Sequence, residues 1–211
     1  MKPNYHIHED IYIQIKNSEQ HGWGGNNRLA NAKLVQRFFK IKHKITIGNL
    51  LELGCGEGHH CRTFATHGFE VTGVDISQTA IAWAEEKASS TGIKGTFLVA
   101  DLTLPHLKLP GKYQVIVDGN CFHCIIGEDR ITFLNNVYHA LESSGTLFIS
   151  SLCSKDDSNY LIHKYSMPYR HITSKKSLVS ELEVAGFEVL EINIYERERE
   201  NHITIHALKV G

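Results

Sequence analysis

The stretch Leu50 to His59 constrains the fold more than any other part of this chain. It is an apolar run containing a single acid, Glu52, and it ends in three glycines at alternate positions. A short continuous apolar run bounded by turn residues indicates a strand buried on both faces. The glycines allow a tight turn and a close approach of a ligand to the backbone, and residues 60–67 are predicted to form a helix. Strand, glycine loop and helix together predict the first half of a nucleotide-binding βαβ unit.

Strand and helix patterns alternate along most of the chain that follows. This alternation predicts a doubly wound α/β fold with a parallel sheet and helices on both faces. The last two predicted strands, 187–194 and 202–210, have no helix between them and should pair antiparallel. We therefore expect a mostly parallel seven-stranded sheet with an antiparallel C-terminal strand. The other predicted strands cover 49–53, 69–75, 94–100, 113–118 and 146–150, and the intervening helices 78–90 and 128–141.

Three segments lie outside this regular pattern. Ile7, Ile11, Ile13 and Ile15 suggest a short extended piece, whereas the apolar spacing within 27–40 predicts an amphipathic helix. Residues 151–172 carry several aromatic side chains without a clear period. A loop of that length in a compact domain is usually a lid or a binding segment.

Composition bounds the class of protein. The chain has 211 residues, a formal net charge of −1 and 42% hydrophobic residues, as expected for one globular domain spanning 1–211. Within it we expect an N-terminal lid and helix region (1–45), a cofactor-binding core (46–150) and a substrate-side loop, helix and strand pair (151–211). Without a basic surplus, nucleic acid is disfavoured as a partner.

Two further features bear on location. No apolar run approaches the roughly 20 residues that a membrane span needs, so we expect no membrane partner. The five cysteines are an odd number in a chain apolar enough to fold without disulfides. Reduced thiols in the cytoplasm are therefore the simpler interpretation.

Acidic residues follow the predicted parallel strands. Asp75, Asp101 and Asp118 each stand at or just after a strand end, and ligands of open α/β sheets bind outside such ends. Asp75 lies 21 residues after Gly54, near the spacing at which an acid meets ribose hydroxyls. In a dinucleotide fingerprint the position of His59 would be a glycine, and the nearby acids would disfavour a pyrophosphate. An adenosine ligand carrying a positive group is the better match.

These motifs, taken in order, resemble the class I, seven-strand methyltransferases that use S-adenosylmethionine. The resemblance covers roughly residues 48–150 and extends to the antiparallel ending. It is carried by four stretches and a turn: Glu52-Leu53-Gly54-Cys55-Gly56-Glu57-Gly58, Asp75, Ala100-Asp101-Leu102, Val117-Asp118 and Ser144-Gly145.

The resemblance implies roles for ten cofactor-binding residues. The glycine loop would pass the methionine part of the cofactor, with Glu52 near its amino group. Asp75 would accept hydrogen bonds from the ribose hydroxyls, and Asp101 would accept a hydrogen bond from the adenine amino group. The full implied set is Glu52, Gly54, Cys55, Gly56, Asp75, Ile76, Asp101, Leu102, Asp118 and Gly119, and for any one acid a helix cap or solvated strand end is the alternative.

Methyl transfer itself needs alignment and desolvation, and a base only if the nucleophile arrives protonated. The candidate base is His123, just past the fourth strand, although a structural histidine or one that only contacts cofactor is an equal alternative. Cys121 and Cys124 flank it as a C-x-x-C pair. One pair supplies only two of the usual four zinc ligands, so we expect no metal.

We therefore predict a cytoplasmic S-adenosylmethionine-dependent methyltransferase acting on an O, N or S nucleophile of a small molecule, with S-adenosylhomocysteine as product. Substrate contacts are predicted at Trp23, Tyr165 and Tyr169, although a tryptophan flanked by glycines is more often a packing anchor than a ligand contact. The alternatives are a methyltransferase acting on RNA or protein, a non-catalytic S-adenosylmethionine-binding module and, disfavoured by His59, a nicotinamide oxidoreductase.

Overall fold

The computed structural model describes residues 3–25, 33–42 and 45–211. Its helices are α1 (Ile7–Asn17), α2 (Lys33–Phe38), α3 (His59–Thr66), α4 (Gln78–Thr91), α5 (Asp129–Ala140) and α6 (Lys175–Val184), with a 3-10 turn at Phe122–Cys124. Its strands are β1 (Asn49–Leu53), β2 (Glu70–Asp75), β3 (Thr96–Val99), β4 (Tyr113–Asp118), β5 (Leu141–Cys153), β6 (Tyr160–Lys164), β7 (Met167–Ile172), β8 (Phe187–Tyr195) and β9 (Asn201–Lys209).

The predicted sheet is confirmed. In the described residues a seven-stranded sheet has the order β3-β2-β1-β4-β5-β9-β8. Strands β1, β2 and β3 pair parallel, as do β4 and β5, whereas β9 is antiparallel to both β5 and β8. The described residues form two compact units, one within 5–101 and the other made of 3–4 with 102–211.

The first unit contains β1 to β3 and α1 to α4. Strand β1 is buried along Leu50, Leu51 and Leu53, as its continuous apolar run predicts. Helices α2 and α3 meet through a cluster of aromatic rings, with the Phe38 and Phe64 centroids 5.0 Å apart and edge to face. The predicted helix over 27–40 is thus confirmed from Lys33 to Phe38, and its earlier part lies outside the described residues.

The N-terminal isoleucines form a helix, so the predicted extended piece is wrong. Ile7, Ile11 and Ile15 are spaced four apart and share one helical face, and Ile7 is buried. Glu9 and Asp10 stand in the first turn and Lys16 in the last, where each charge is favourable to the helix dipole.

The second unit contains the remaining strands. Its core lies between β4, β5 and β9, and the Phe122 and Phe133 rings stack there with centroids 5.1 Å apart. The strand at 146–150 is longer than predicted and begins at Leu141. None of the helices in the described part of the chain is long and apolar enough to cross a membrane.

The segment 151–172 is mostly not the loop that the sequence suggested. Its second half forms the antiparallel hairpin β6–β7. Tyr165 and Ser166 have φ values of 51° and 61° at the tip, the left-handed geometry that two-residue hairpin turns require. The residues of these two strands show no helical period and little alternation of apolar residues. The sequence pattern therefore did not indicate strands that depend on cross-strand pairing.

Candidate functional site

The glycine loop between β1 and α3 has a left-handed backbone at alternate residues. Gly54, Gly56 and Gly58 have φ values of 64°, 56° and 74°, a conformation that costs side-chain-bearing residues free energy. The Cys55 N–H donates to the Val74 carbonyl at 2.9 Å, which holds the loop beside the end of β2. The three glycines are therefore required by the turn.

Asp75, the predicted ribose ligand, is the residue that fixes this loop. Its Oδ2 accepts from the Gly56 N–H and its Oδ1 from the Ser77 N–H, both at 2.9 Å. Burial raises the pKa of Asp75 to about 6, and these backbone N–H groups oppose that rise. Each carboxylate oxygen has a second lone pair that could accept a further hydrogen bond. The predicted binding of ribose hydroxyls is compatible with this geometry.

The acids that flank the glycines both have partners in the chain. Glu52 is 1% exposed; His60 Nδ1 lies 2.8 Å from its Oε1, and the Cys61 thiol donates to its Oε2 at 3.0 Å. Glu57 pairs with Arg62 Nη2 at 2.8 Å and with Lys87 Nζ at 3.3 Å. Because two cations already balance Glu57 and Glu52 has hydrogen-bonding partners of its own, acid content is weaker support for a cationic ligand than the sequence suggested.

The predicted adenine-side residues follow β2 and β3. Ile76 is partly exposed immediately after Asp75, and Asp101 is also partly exposed. Leu102 is buried, and its carbonyl accepts from Asn136 Nδ2 at 3.0 Å. Asn136 also donates to the Leu104 carbonyl at 2.9 Å, so a buried amide of α5 shapes this loop.

Asp118, at the end of β4, holds the turn that follows it. Its Oδ1 accepts from the backbone N–H groups of Cys121 and Phe122 at 2.7 and 3.0 Å. Burial raises the pKa of Asp118 to about 7, in spite of these two donors. The neighbouring Gly119 is partly exposed. A capping role for Asp118, the alternative left open by the sequence, is thus visible in the structure.

His123, the candidate base, lies in the same turn and is 5% exposed. Its Nδ1 is 3.4 Å from both the Leu152 N and the Ser151 Oγ. Because a backbone N–H can only donate, Nδ1 is the acceptor, and a neutral ring then carries its proton on Nε2. This arrangement favours the structural alternative over a general base acting through Nδ1.

A polar chain beside this turn was missed by sequence reasoning. His202 Nε2 lies 3.0 Å from Ser150 Oγ, which donates to Asn120 Oδ1 at 3.4 Å. Asn120 is partly exposed and has a φ of 69°, a left-handed conformation that in a residue other than glycine often marks a functional position. A polar residue two positions after a strand-end acid was the signal available in the sequence.

His202 and His206 lie on the last predicted strand, where the sequence would suggest surface or edge residues, and this interpretation is wrong. Both are buried, at 5% and 2% exposure, because β9 is an inner strand with β5 on one side and β8 on the other. The sequence pattern did not reveal this strand order, since β9 is last in the chain.

The three predicted substrate residues occupy different settings. Trp23 packs on α1, with its ring centroid 5.3 Å from that of Tyr12 and 5.9 Å from that of His8, and both ring pairs are tilted. Tyr165 is 73% exposed at the tip of the β6–β7 hairpin. Tyr169, on β7, is partly exposed and lies near two cations, with Lys164 Nζ 5.3 Å from its ring centroid. Trp23 therefore has the packing role that the sequence left open, and the tyrosines are accessible.

The cysteines are free thiols. Burial raises the pKa of Cys55, in the glycine loop, to about 11, so it is unreactive at neutral pH. Within the described residues, no group of three or more His, Cys, Asp or Glu side chains is placed to hold a metal ion. The prediction that no metal is used stays a prediction.

Comparisons with known proteins agree with the order of these motifs. A family model described as a methyltransferase domain matches residues 50–145. An uncharacterized methyltransferase of Schizosaccharomyces pombe is 29% identical over 112 residues, which cover 53% of this chain and 77% of that protein.

Two solved structures extend the likeness to nearly the whole chain. The 1,6-didemethyltoxoflavin-N1-methyltransferase of Burkholderia thailandensis, with bound 1,6-didemethyltoxoflavin and S-adenosylhomocysteine, has a TM-score of 0.70 at 18% identity and covers 98% of this chain and 84% of that one. The cyclase SpnF has a TM-score of 0.77 at 17% identity, covering 99% and 97%. At such identities the structures show the fold alone.

The glycine loop, the strand-end acids, the sheet order and the family match define a cofactor-dependent methyltransferase. Residues 50–145 match the methyltransferase-domain model, and the resemblance of the chain to the class I S-adenosylmethionine-dependent methyltransferases is confirmed. The predicted enzyme class and cofactor are thereby confirmed.

Proposed function

We propose that this methyltransferase acts on a small molecule, whose O, N or S nucleophile attacks the methyl group of S-adenosylmethionine. The observation that carries the proposal is the likeness of fold to a methyltransferase with bound 1,6-didemethyltoxoflavin, which covers 98% of this chain. It extends beyond the matched residues 50–145 into the segments predicted to contact substrate. The near-neutral net charge of −1 also favours a small acceptor over a polyanion.

On this proposal, Asp75 accepts hydrogen bonds from the ribose hydroxyls, and the loop residues lie along the methionine part of the cofactor. These loop residues are Gly54, Cys55 and Gly56. Support comes from the hydrogen bond between Asp75 and the Gly56 N–H, which couples the acid to the loop. The implied roles of Glu52, Ile76, Asp101, Leu102, Asp118 and Gly119 rest on the family resemblance.

The acceptor is proposed to contact the β6–β7 hairpin through Tyr165 and Tyr169. Their exposed aromatic surface and the adjacent cations Lys164 and Arg170 would suit a planar or anionic small molecule. A substrate contact by Trp23 and base catalysis by His123 stay predictions. We also retain two broader predictions, namely a single domain over 1–211 and a cytoplasmic location, the latter supported by five free thiols.

The experiment that tests this function supplies the protein with methyl-labelled S-adenosylmethionine and three acceptor pools: a small-metabolite extract, total RNA and a protein fraction. Label transferred only to the metabolite pool supports the proposal. Transfer only to RNA or protein would establish the alternative acceptor class, and S-adenosylhomocysteine binding without any transfer would favour a binding module. His123→Gln, tested on the acceptor found, should reduce kcat by 10²-fold or more if His123 is the base.

A further inference from the structure

The N-terminal segment, residues 5–25, packs against the glycine loop. Tyr12 is 6% exposed, and its hydroxyl occupies the space in which Gly56 would carry a side chain, so that any Cβ there would overlap it. Gly56 is the glycine whose N–H donates to Asp75. The hydroxyl of Tyr12 and the carboxylate of Asp75, which is proposed to bind the ribose, therefore both contact Gly56.

Several polar contacts hold the segment there. The Glu9 carboxylate accepts from Ser77 Oγ at 2.5 Å and from Thr79 Oγ at 2.6 Å, at the start of α4. Hydrogen bonds from these hydroxyls lower the pKa of Glu9, although its burial acts in the opposite direction. The segment is thus attached to the residues that directly follow Asp75.

A second attachment links the turn at Gly22 with Glu57 in the glycine loop. Lys87 Nζ donates to the His21 carbonyl and pairs with Glu57 Oε2, and it lies 4.2 Å from the Trp83 ring centroid. A Cβ on Gly22 would lie 2.6 Å from Glu57 Oε1. One buried acid of the loop therefore contacts the N-terminal segment both directly and through a lysine.

The chemistry of this place suits the amino-acid end of the cofactor. Its carboxylate needs donors, but Arg62 and Lys87 are already paired with Glu57. A phenol hydroxyl can donate to a carboxylate without the desolvation of a second charge.

We propose that Tyr12 is a further cofactor-binding residue, which contacts the methionine part from the N-terminal segment that covers the glycine loop. The proposal rests on S-adenosylmethionine binding at that loop. It assigns a specific residue of α1 to the lid region expected over 1–45, where the sequence pattern singled out no residue of that helix for a functional role.

The test compares two ligands by calorimetry: S-adenosylhomocysteine and 5′-methylthioadenosine, which lacks the amino-acid end. Tyr12→Phe keeps the ring on Trp23 and removes only the hydroxyl. It should weaken binding of S-adenosylhomocysteine by about tenfold, the effect of one hydrogen bond to a charged group, and leave methylthioadenosine affinity unchanged. Tyr138→Phe, which loses a hydrogen bond from its hydroxyl to the Val210 carbonyl, is the matched control and should change neither affinity.

Unchanged affinity for both ligands in Tyr12→Phe, or an equal loss for both, would overturn the proposal. Asp75→Ala separates this failure from that of the cofactor site, because it should weaken both ligands. If the unaltered protein bound neither ligand, the assignment of the cofactor site would fail, and the role of Tyr12 with it.

Trp23 fluorescence, measured in a Trp83→Phe background, tests separately whether the N-terminal segment covers the glycine loop. S-adenosylhomocysteine should alter the Trp23 emission, and Lys87→Met should reduce that change several-fold. Lys16→Met is the matched control, because Lys16 lies near the same Trp83 ring but pairs with exposed Glu86. A Trp23 signal that does not respond to the ligand, or responds equally in both lysine variants, would contradict coverage.

Discussion

The ends of β2 and β4 carry carboxylates that look equivalent in sequence but hold different parts of the chain. Asp75 uses both oxygens, one for Gly56 and one for Ser77, and so joins a strand end to a distant loop. Asp118 uses one oxygen for Cys121 and Phe122 within its own turn, with the Ser150 backbone N–H of β5 as a further donor. An acid that organises a glycine loop is a stronger candidate for ligand binding than one that caps its own turn.

The turn that follows β4 should depend on Arg130 for its contribution to stability. This buried guanidinium donates to the Phe122 and Ile125 carbonyls and pairs with Glu181 at 2.6 Å. Arg130→Met should lower the free energy of unfolding by about 3 kcal/mol, because it leaves carbonyls and an acid without their partner. Urea unfolding measures this, with Arg130→Lys as the control that keeps the charge; a loss below about 1 kcal/mol would show that the turn is held by Asp118 alone.

Ligand binding should separate the two acids. Asp75→Ala should weaken S-adenosylhomocysteine binding by about 100-fold, because it removes charge-assisted hydrogen bonds to ligand and loop together. Asp118→Ala should weaken binding by less than about tenfold, since its hydrogen bonds are to its own turn and to the Ser150 backbone, and none joins it to the glycine loop. Calorimetry on both variants decides the comparison, and equal losses would show that the two strand ends contribute alike.

Lowering the pH should stabilise the fold through both Asp75 and Asp118, and more through Asp118, because the pKa values of both are raised. Its pKa is raised from 3.8 to about 7 in the fold, so the folded state binds this proton more tightly than the unfolded state. The stabilising effect of protonation is therefore complete below pH 3.8 and is lost as pH rises to about 7. In the ligand-free protein, Asp118→Asn should remove an effect on the order of 2 kcal/mol over that range. Urea unfolding at several pH values checks this, and an unchanged pH profile would contradict it.

The smallest effect is expected at the helix that follows β2. Ser77 accepts from the Ala80 N–H and donates to Glu9, whereas Ser174 caps α6 by accepting from the Ser177 N–H. Each substitution to alanine should cost about 1 kcal/mol of stability. Ser77→Ala alone should also reduce the Trp23 fluorescence response to S-adenosylhomocysteine, because it loosens the N-terminal segment. A similar reduction in Ser174→Ala would remove the distinction.

The sequence by itself determined the parts whose signals are local. The apolar run at Leu50, the alternating glycines and the acid at Asp75 predicted β1, its loop and the class of cofactor, because strand burial and left-handed turns restrict residue type directly. The order of strands and helices likewise predicted the sheet, since consecutive βα units can be wound only in a few ways.

The tertiary structure decided what depends on contacts between distant residues. The isoleucines of α1 fit a helix or a strand until Tyr12 is seen against Gly56. Glu52 looks unpartnered until His60 and Cys61 are seen beside it, and Glu57 until Arg62 and Lys87 are seen beside it. The histidines of β9 look like edge residues until β8 is found to cover that strand. Burial and pairing arise from packing across the fold, and no local pattern of residues contains that information.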